Sequence, residues 1–296
     1  MSKALAILVD GSGFIYRAYY ALPQLTNKDG HPAGAVFGFC SMLISLLKKH
    51  KVLTETMFGS DLFCVVFDSG RDTFRSKIYS EYKGNRQATP EELKLQIPML
   101  RDACEAFGIP TVNKKGFEAD DIIATYSKKL SERGYEVKII SSDKDLMQLI
   151  TDDIYIFDPI KSKVIKADEV WESYGVLPSQ MIFLQALMGD ISDNIPGIKG
   201  IGPKRAAKLV NEFKTPEALC RNINNIKSTK IRESFCEQRE QFDISLKLVT
   251  LEKDVPLNED FNNFKILYNS AKAAFFLKTH GFNSLIKRLD QQLTTI

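Results

Sequence analysis

Histidine is scarce in this chain of 296 residues: His31, His50 and His280 are all there are, and none stands near an acidic motif. Chemistry built on a Ser-His or Cys-His pair therefore gets little support. Cysteine is hardly more abundant. Cys40, Cys64, Cys104, Cys220 and Cys236 are odd in number, far apart and without a C-x-x-C pair. Neither a disulfide framework nor a thiolate zinc site is indicated, and core thiols in a reducing compartment are the simplest reading. No run of about 18 apolar residues occurs, and Asp10 cuts the opening MSKALAILVDGS before it could form a signal-peptide core. A cytoplasmic protein is expected, with no membrane partner. Repeats and low-complexity tracts are absent, and net charge is small, +3 from 40 Lys and Arg against 37 Asp and Glu. Its distribution says more than its sum, because acids gather in a few tight motifs and cations in others.

What the chain does contain begins with short apolar runs. Residues 3–9 (KALAILV), 62–67 (LFCVVF) and 136–141 (EVKIIS) lead into Asp10, Asp68 and Asp143, and read as strands buried on both faces. IPTV at 109–112 and IYIF at 154–157 are further short apolar segments, the second expected to join the sheet. Helical patterns at 34–50, 90–107 and 118–133 alternate with these runs, so residues 1–175 read as α/β with a central, mostly parallel sheet flanked by helices. Beyond a boundary near Gly175–Pro178 the strand-like runs disappear. Residues 176–296 read as helical, with segments at 178–189, 203–212, 228–250 and 270–290.

In an open parallel sheet, ligands bind beyond the carboxyl ends of the strands, where Asp10, Asp68 and Asp143 are expected. GFEADDIIATY (116–126) adds Glu118, Asp120 and Asp121 at a helix start; SSDKDL adds Asp145; GDISDN adds Asp190 and Asp193 at helical i, i+3 spacing. One acid suffices to complement a helix dipole. Nine that converge would repel one another unless cations sat among them, and oxygen donors without His or Cys favour Mg²⁺ or Mn²⁺ over zinc. Two such ions about 3.5–4 Å apart suit in-line attack at a phosphodiester. A haloacid-dehalogenase-type phosphatase would need a second Asp two positions after Asp10, where Ser12 stands.

The cations have their own pattern. SGRDTFRSKIYSEYKGNRQATP, from Ser69 to Pro90, carries Arg71, Arg75, Lys77, Lys83 and Arg86 interleaved with Phe74, Tyr79 and Tyr82, a mixture suited to a single-strand channel. Lys83 and Arg86 are the candidates to hold the scissile phosphate. PGIKGIGPKRAAKLV (196–210) joins two helices through Gly200 and Gly202, followed by Lys204, Arg205 and Lys208, a helix-hairpin-helix pattern suited to gripping a duplex backbone.

AILVDGSGFIYRAYYALPQLTN, VVFDSGRDTFRSKIYSEYKGNR, GFEADDIIAT, IISSDKDLMQLI and MGDISDNIPGIKGIGPKRAAKLV resemble, in order, the successive motifs of the bacterial 5′ nuclease family. The branch most similar contains the N-terminal 5′-3′ exonuclease domain of DNA polymerase I. The resemblance implies a PIN-like core, a helical arch at about 70–95 holding Arg75, Tyr82, Lys83 and Arg86, and an H3TH-type hairpin at about 190–212. It implies that the nine acids bind two or more Mg²⁺ or Mn²⁺ ions and that the 197–208 hairpin can hold K⁺. Arg205 departs from the pattern, which has a small polar residue such as Thr there. The implied activity is 5′-3′ exonuclease and 5′-flap endonuclease hydrolysis by water, leaving a 5′-phosphate and a 3′-hydroxyl. Asp68 and Asp143 would be essential, with Lys83 and Arg86 stabilising phosphoryl charge. Implied partners are DNA with a 5′ flap, nick or gap, and RNA primer–DNA junctions in replication and repair. The protein would be a monomer in the bacterial cytoplasm at the nucleoid, free-standing or followed by a polymerase domain. Two alternatives stay open: a non-catalytic module that binds branched DNA, and an RNA-cutting enzyme with a related core.

Overall fold

The apolar runs pair into one six-stranded sheet in the computed structural model, which describes residues 3–21, 25–27, 30–49 and 61–293. His50, the expected end of one helix, lies outside the described residues. The strands are β1 (Leu5–Asp10), β2 (Leu62–Val66), β3 (Thr111–Val112), β4 (Glu136–Ile140), β5 (Ile154–Asp158) and β6 (Lys163–Ile165), in the order β3-β2-β1-β4-β5-β6. All neighbours are parallel except the β5–β6 pair. β1 is flanked by β2 on one side and β4 on the other, so the chain reverses its winding at the β1–β4 gap, where open parallel sheets bind ligands.

Thirteen helices are described: α1 (Gly11–Ala21), α2 (Gly34–Lys49), α3 (Phe74–Ile78), α4 (Glu91–Ala106), α5 (Ala119–Glu132), α6 (Ala167–Tyr174), α7 (Met181–Met188), α8 (Pro203–Phe213), α9 (Pro216–Arg221), α10 (Thr229–Glu237), α11 (Arg239–Val249), α12 (Ser270–Thr279) and α13 (Asn283–Leu293). Strand side chains alternate between two cores because the strand period is two. Ala6, Leu8, Cys64, Val137 and Ile139 pack on the face that carries α5 and continues to Phe183 of α7 and Phe242 of α11. Ile7, Val9, Phe63 and Val65 pack on the opposite face with α2 and α4.

Three features differ from the sequence reading. The segments at 228–250 and 270–290 each break into two helices, at Gln238 and at the positive-φ Gly281, because periodicity marks an apolar face without fixing where the axis turns. Residues 70–95 do not form a continuous helical arch: five-residue α3 is followed by turns around Lys83, itself at φ 55. Helices α12 and α13, assigned by sequence to the helical half, send Ala273, Leu277, Leu285 and Leu289 into the core shared with α2 and α4. The chain returns there past Gly108, whose carbonyl accepts from Leu267 N at 2.9 Å. A Cβ at Gly108 would lie 2.0 Å from the Leu267 carbonyl oxygen, so this close crossing requires glycine.

Candidate functional site

Asp10 ends β1, almost fully buried, with Oδ1 accepting from Gly13 N and Oδ2 from Ser141 Oγ, both at 2.9 Å. Burial raises its pKa to about 6; the charges of Asp143 and Asp68 push the same way, and the Gly13 and Ser141 donors oppose them. Asp68, just past β2, takes its backbone position from Ser12 Oγ and caps α5 by accepting from Ala119 N at 2.8 Å. The two bonds of Asp68 thus tie two strand ends to one helix start.

Asp120 sits on the first turn of α5. Burial raises its pKa well above the usual carboxylate range, as do Asp143, Asp10 and Asp145, with Lys83 opposing. Asp143 follows β4, its Oδ1 accepting from Asp145 N at 2.9 Å. Asp145 opens a 3₁₀ turn at Asp145–Leu149, and its pKa is pushed up to about 7 by burial and by Asp143, Asp193 and Asp190. Asp143 thus presses on three other acids from the centre of the group.

A second acidic row faces the first from Glu118 and the 190–193 loop. There, cationic side chains of the protein occupy the carboxylates. Lys83 Nζ lies 2.8 Å from Glu118 Oε1 and 3.6 Å from Asp193 Oδ2; Arg86 pairs with Asp193; Lys144 Nζ lies 2.7 Å from Asp190 Oδ2. Tyr82 OH donates to Glu118 Oε2 at 3.0 Å. Burial works against the charged form of Lys83, but Glu118, Tyr82 and Asp193 outweigh it and raise its pKa. Burial works equally to raise Asp190, yet the Lys144 and Ser192 contacts hold it below its usual value. The turn at 79–86 is fastened to this loop through the backbone as well: Lys83 N donates to Asp193 O at 2.8 Å, Asn85 Nδ2 to Ile191 O at 2.6 Å, and Asn194 Nδ2 to Glu81 O at 2.6 Å.

Two assignments from sequence are corrected here. Arg75, expected to contact DNA, is 1% exposed and spans to the helical half, donating to Leu248 O at 2.8 Å and Thr250 O at 2.9 Å. Asp121, expected to hold a metal ion, is fully buried and forms a bidentate pair with Arg75, both distances 2.7 Å. Its oxygens also accept from Glu118 N and Glu252 N. Consecutive helical positions point about 100° apart, so when Asp120 faces the strand ends Asp121 must face elsewhere. The geometry takes Arg75 out of the DNA-facing set and Asp121 out of the acid cluster.

Of the other cations, Arg71 and Lys77 are exposed, and Arg71 donates to Gln87 O at 2.9 Å. Gly200, Gly202, Lys204, Arg205 and Lys208 lie exposed around the α7–α8 hairpin. The hairpin is closed by Gly189 and Gly197: a Cβ on Gly189 would lie 2.5 Å from Gly197 N, and one on Gly197 would lie 2.4 Å from the Met188 carbonyl carbon. Sequence reasoning missed Gln185, 1% exposed on α7, whose Nε2 donates to Asp145 Oδ1 at 2.5 Å. Its signal was a lone polar residue in the apolar helix MIFLQALM. Lys144 and Ser141, which hold Asp190 and Asp10, were likewise missed.

The remaining acids suit divalent cations by donor chemistry and by charge. All donors are carboxylate oxygens, and Asp10, Asp120 and Asp145 each stand against the negative charge of Asp143 and further acids. Among the described residues no three of these groups already converge on a point that could hold an ion. A monovalent cation at the hairpin does not fit the residues present, because the Gly200 carbonyl already accepts from Arg205 Nη1 at 2.6 Å.

Residues 5–175 match the family model described as 5′-3′ exonuclease, N-terminal resolvase-like domain, and residues 176–272 match 5′-3′ exonuclease, C-terminal SAM fold. The 5′-3′ exonuclease of Aquifex aeolicus is 38% identical over 292 residues, covering 98% of this chain and 96% of that protein. DNA polymerase I of Rhizobium leguminosarum is 45% identical over 284 residues, 95% of this chain. The matched part spans 28% of that polymerase, and 33% of the Bacillus caldotenax enzyme. Among solved structures, T5 5′-exonuclease with bound divalent metal ions (zinc) superposes with a TM-score of 0.68 at 27% identity, covering 98% of each chain.

Proposed function

Because this chain belongs to the 5′-3′ exonuclease family, we propose that it is a structure-specific, divalent-metal-dependent nuclease acting at 5′ flaps and at 5′ ends of nicked or gapped duplex DNA. The observation that carries the reading is the crowding of Asp10, Asp68, Asp120, Asp143 and Asp145 at the sheet's switch point, with Glu118, Asp190 and Asp193 opposite. Three of the first group have raised pKa values, as acids that await cations do. These eight acids would hold the ions, Mg²⁺ or Mn²⁺ by donor hardness. When bound, the ions supply Lewis-acid stabilisation of the phosphoryl oxygens and a water poised to lose its proton. Lys83 and Arg86 stay protonated and lie against Glu118 and Asp193, so they can exchange a carboxylate partner for a substrate phosphate without moving far. Gln185 and Ser141 orient Asp145 and Asp10. Arg71, Lys77 and Tyr82 would line the path of the single strand, and the hairpin with Lys204, Arg205 and Lys208 would grip the duplex.

The deciding assay incubates end-labelled 5′-flap, nicked and single-stranded DNAs with the protein, with Mg²⁺ or with EDTA. Cleavage of the flap and nick substrates only with Mg²⁺ is expected; binding without cleavage in either condition would favour a branched-DNA-binding module.

The acids also predict a pH dependence of stability. Asp10 and Asp145 titrate near 6 and 7 when folded against 3.8 when unfolded, so no penalty exists below about pH 4 and stability is lost as pH rises through about 6–7. A divalent ion should restore it. Mg²⁺ is expected to raise Tm more at about pH 8 than at about pH 5; an equal shift at both would contradict the placement of these acids around the ions.

A further inference from the structure

The α7–α8 hairpin carries its own cation. Arg205 lies exposed in the first turn of α8, and its Nη1 donates to the carbonyl of Gly200, a residue at φ 83. That first turn contains no acid, and a positive side chain there lies against the positive end of the helix dipole. Such a placement is unfavourable unless an oxygen from the hairpin and an anion from outside meet the guanidinium. Three more of the hairpin's carbonyls are already engaged: Gly197 O accepts from Gln241 Nε2 at 2.6 Å, Ile198 O from Ile201 N and Gly202 O from Ala206 N, both at 2.9 Å. A potassium ion held by protein needs several bare carbonyl oxygens at once, and here it would find those of Gly197, Ile198, Gly200 and Gly202 bonded and a guanidinium beside them.

We propose that the Arg205 guanidinium is a built-in cation bridging the Gly200 carbonyl to a backbone phosphate of duplex DNA, so that this chain grips the duplex without a monovalent metal ion. The planar fork can bond the carbonyl through one N–H and present the others to a phosphate, which a lysine ammonium does with less directionality. The inference rests on the hairpin being the duplex-binding element proposed above.

Its test is duplex binding by fluorescence anisotropy in EDTA, at constant ionic strength, with KCl replaced by tetramethylammonium chloride, whose cation is too large to enter a carbonyl site. Wild-type affinity is expected to change less than about twofold between the salts, whereas Arg205→Thr should weaken binding about tenfold in tetramethylammonium and recover several-fold in KCl. Position 205 is exposed, so the substitution leaves the core intact; Arg205→Lys should give intermediate affinity in both salts. Wild-type binding that depends on K⁺ as strongly as the variant's, or an Arg205→Thr variant indifferent to the cation, overturns the inference. Lys204→Ala and Lys208→Ala separate the two levels. If they weaken binding in both salts while Arg205→Thr behaves as wild type, only the built-in cation fails; if they leave binding unchanged, the duplex-binding hairpin fails with it.

Discussion

Asp143→Asn is expected to lower cleavage of a 5′-flap substrate at least about a thousandfold, a barrier increase of roughly 4 kcal/mol, while raising rather than lowering Tm in EDTA. Both halves follow from one geometry. Asp143 is the carboxylate whose charge presses on Asp10, Asp120 and Asp145 together, so its loss would take a carboxylate from the proposed metal site and also relieve the repulsion among these acids. An ordinary structural aspartate would behave oppositely, with stability reduced and activity following the fraction folded. Cleavage within a few-fold of wild type under saturating Mg²⁺ would remove Asp143 from the metal site. Flap binding in EDTA should be retained or tightened, since the cluster repels phosphate.

Arg75→Ala is expected to cost about 3–5 kcal/mol of stability, because it leaves the carboxylate of Asp121 buried without its partner. For a chain of this length that corresponds to a fall in Tm of roughly 10 °C. Arg75 also donates to carbonyls at Leu248 and Thr250, so the same change strips donors from the segment that joins α11 to the chain's return toward the sheet. Chemical denaturation and DNA binding by the folded variant check this from two sides. A variant as stable as wild type but several-fold weaker for DNA would restore Arg75 to the DNA-facing set; a destabilised one whose folded fraction binds normally supports the buried brace. Replacing the pair together, as Arg75→Met with Asp121→Leu, should cost less than Arg75→Ala alone, since no buried charge is then left unpaired.

Legibility from sequence followed the range of the interaction. Asp10, Asp68 and Asp143 could be placed at strand ends because each terminates an apolar run, and the run itself states that both faces are covered. Glu118 and Asp120 could be placed at a helix start by the same reasoning. The pair Asp120 and Asp121 could not be separated: helical geometry says that neighbours diverge, but not which one turns to the strand ends. That choice depends on Arg75, 46 positions away, entering the core behind α5. Likewise, nothing in the spacing of Lys83 and Arg86 indicates that a turn at 79–86 lies against the loop at 190–194, more than 100 positions on.

The sequence by itself determined the elements and their polarity: apolar runs buried on both faces, acids at their carboxyl ends, a glycine-closed hairpin with cations beyond it. These are properties of a few consecutive residues, and backbone geometry carries them directly into local structure. Only the tertiary structure decided which charges meet. Arg75 became an internal brace, Arg205 settled on a hairpin carbonyl, and α12 and α13 joined the opposite core. The reason is that a charge in a protein is worth little until burial fixes its partner, and burial is settled by the packing of segments far apart in the chain.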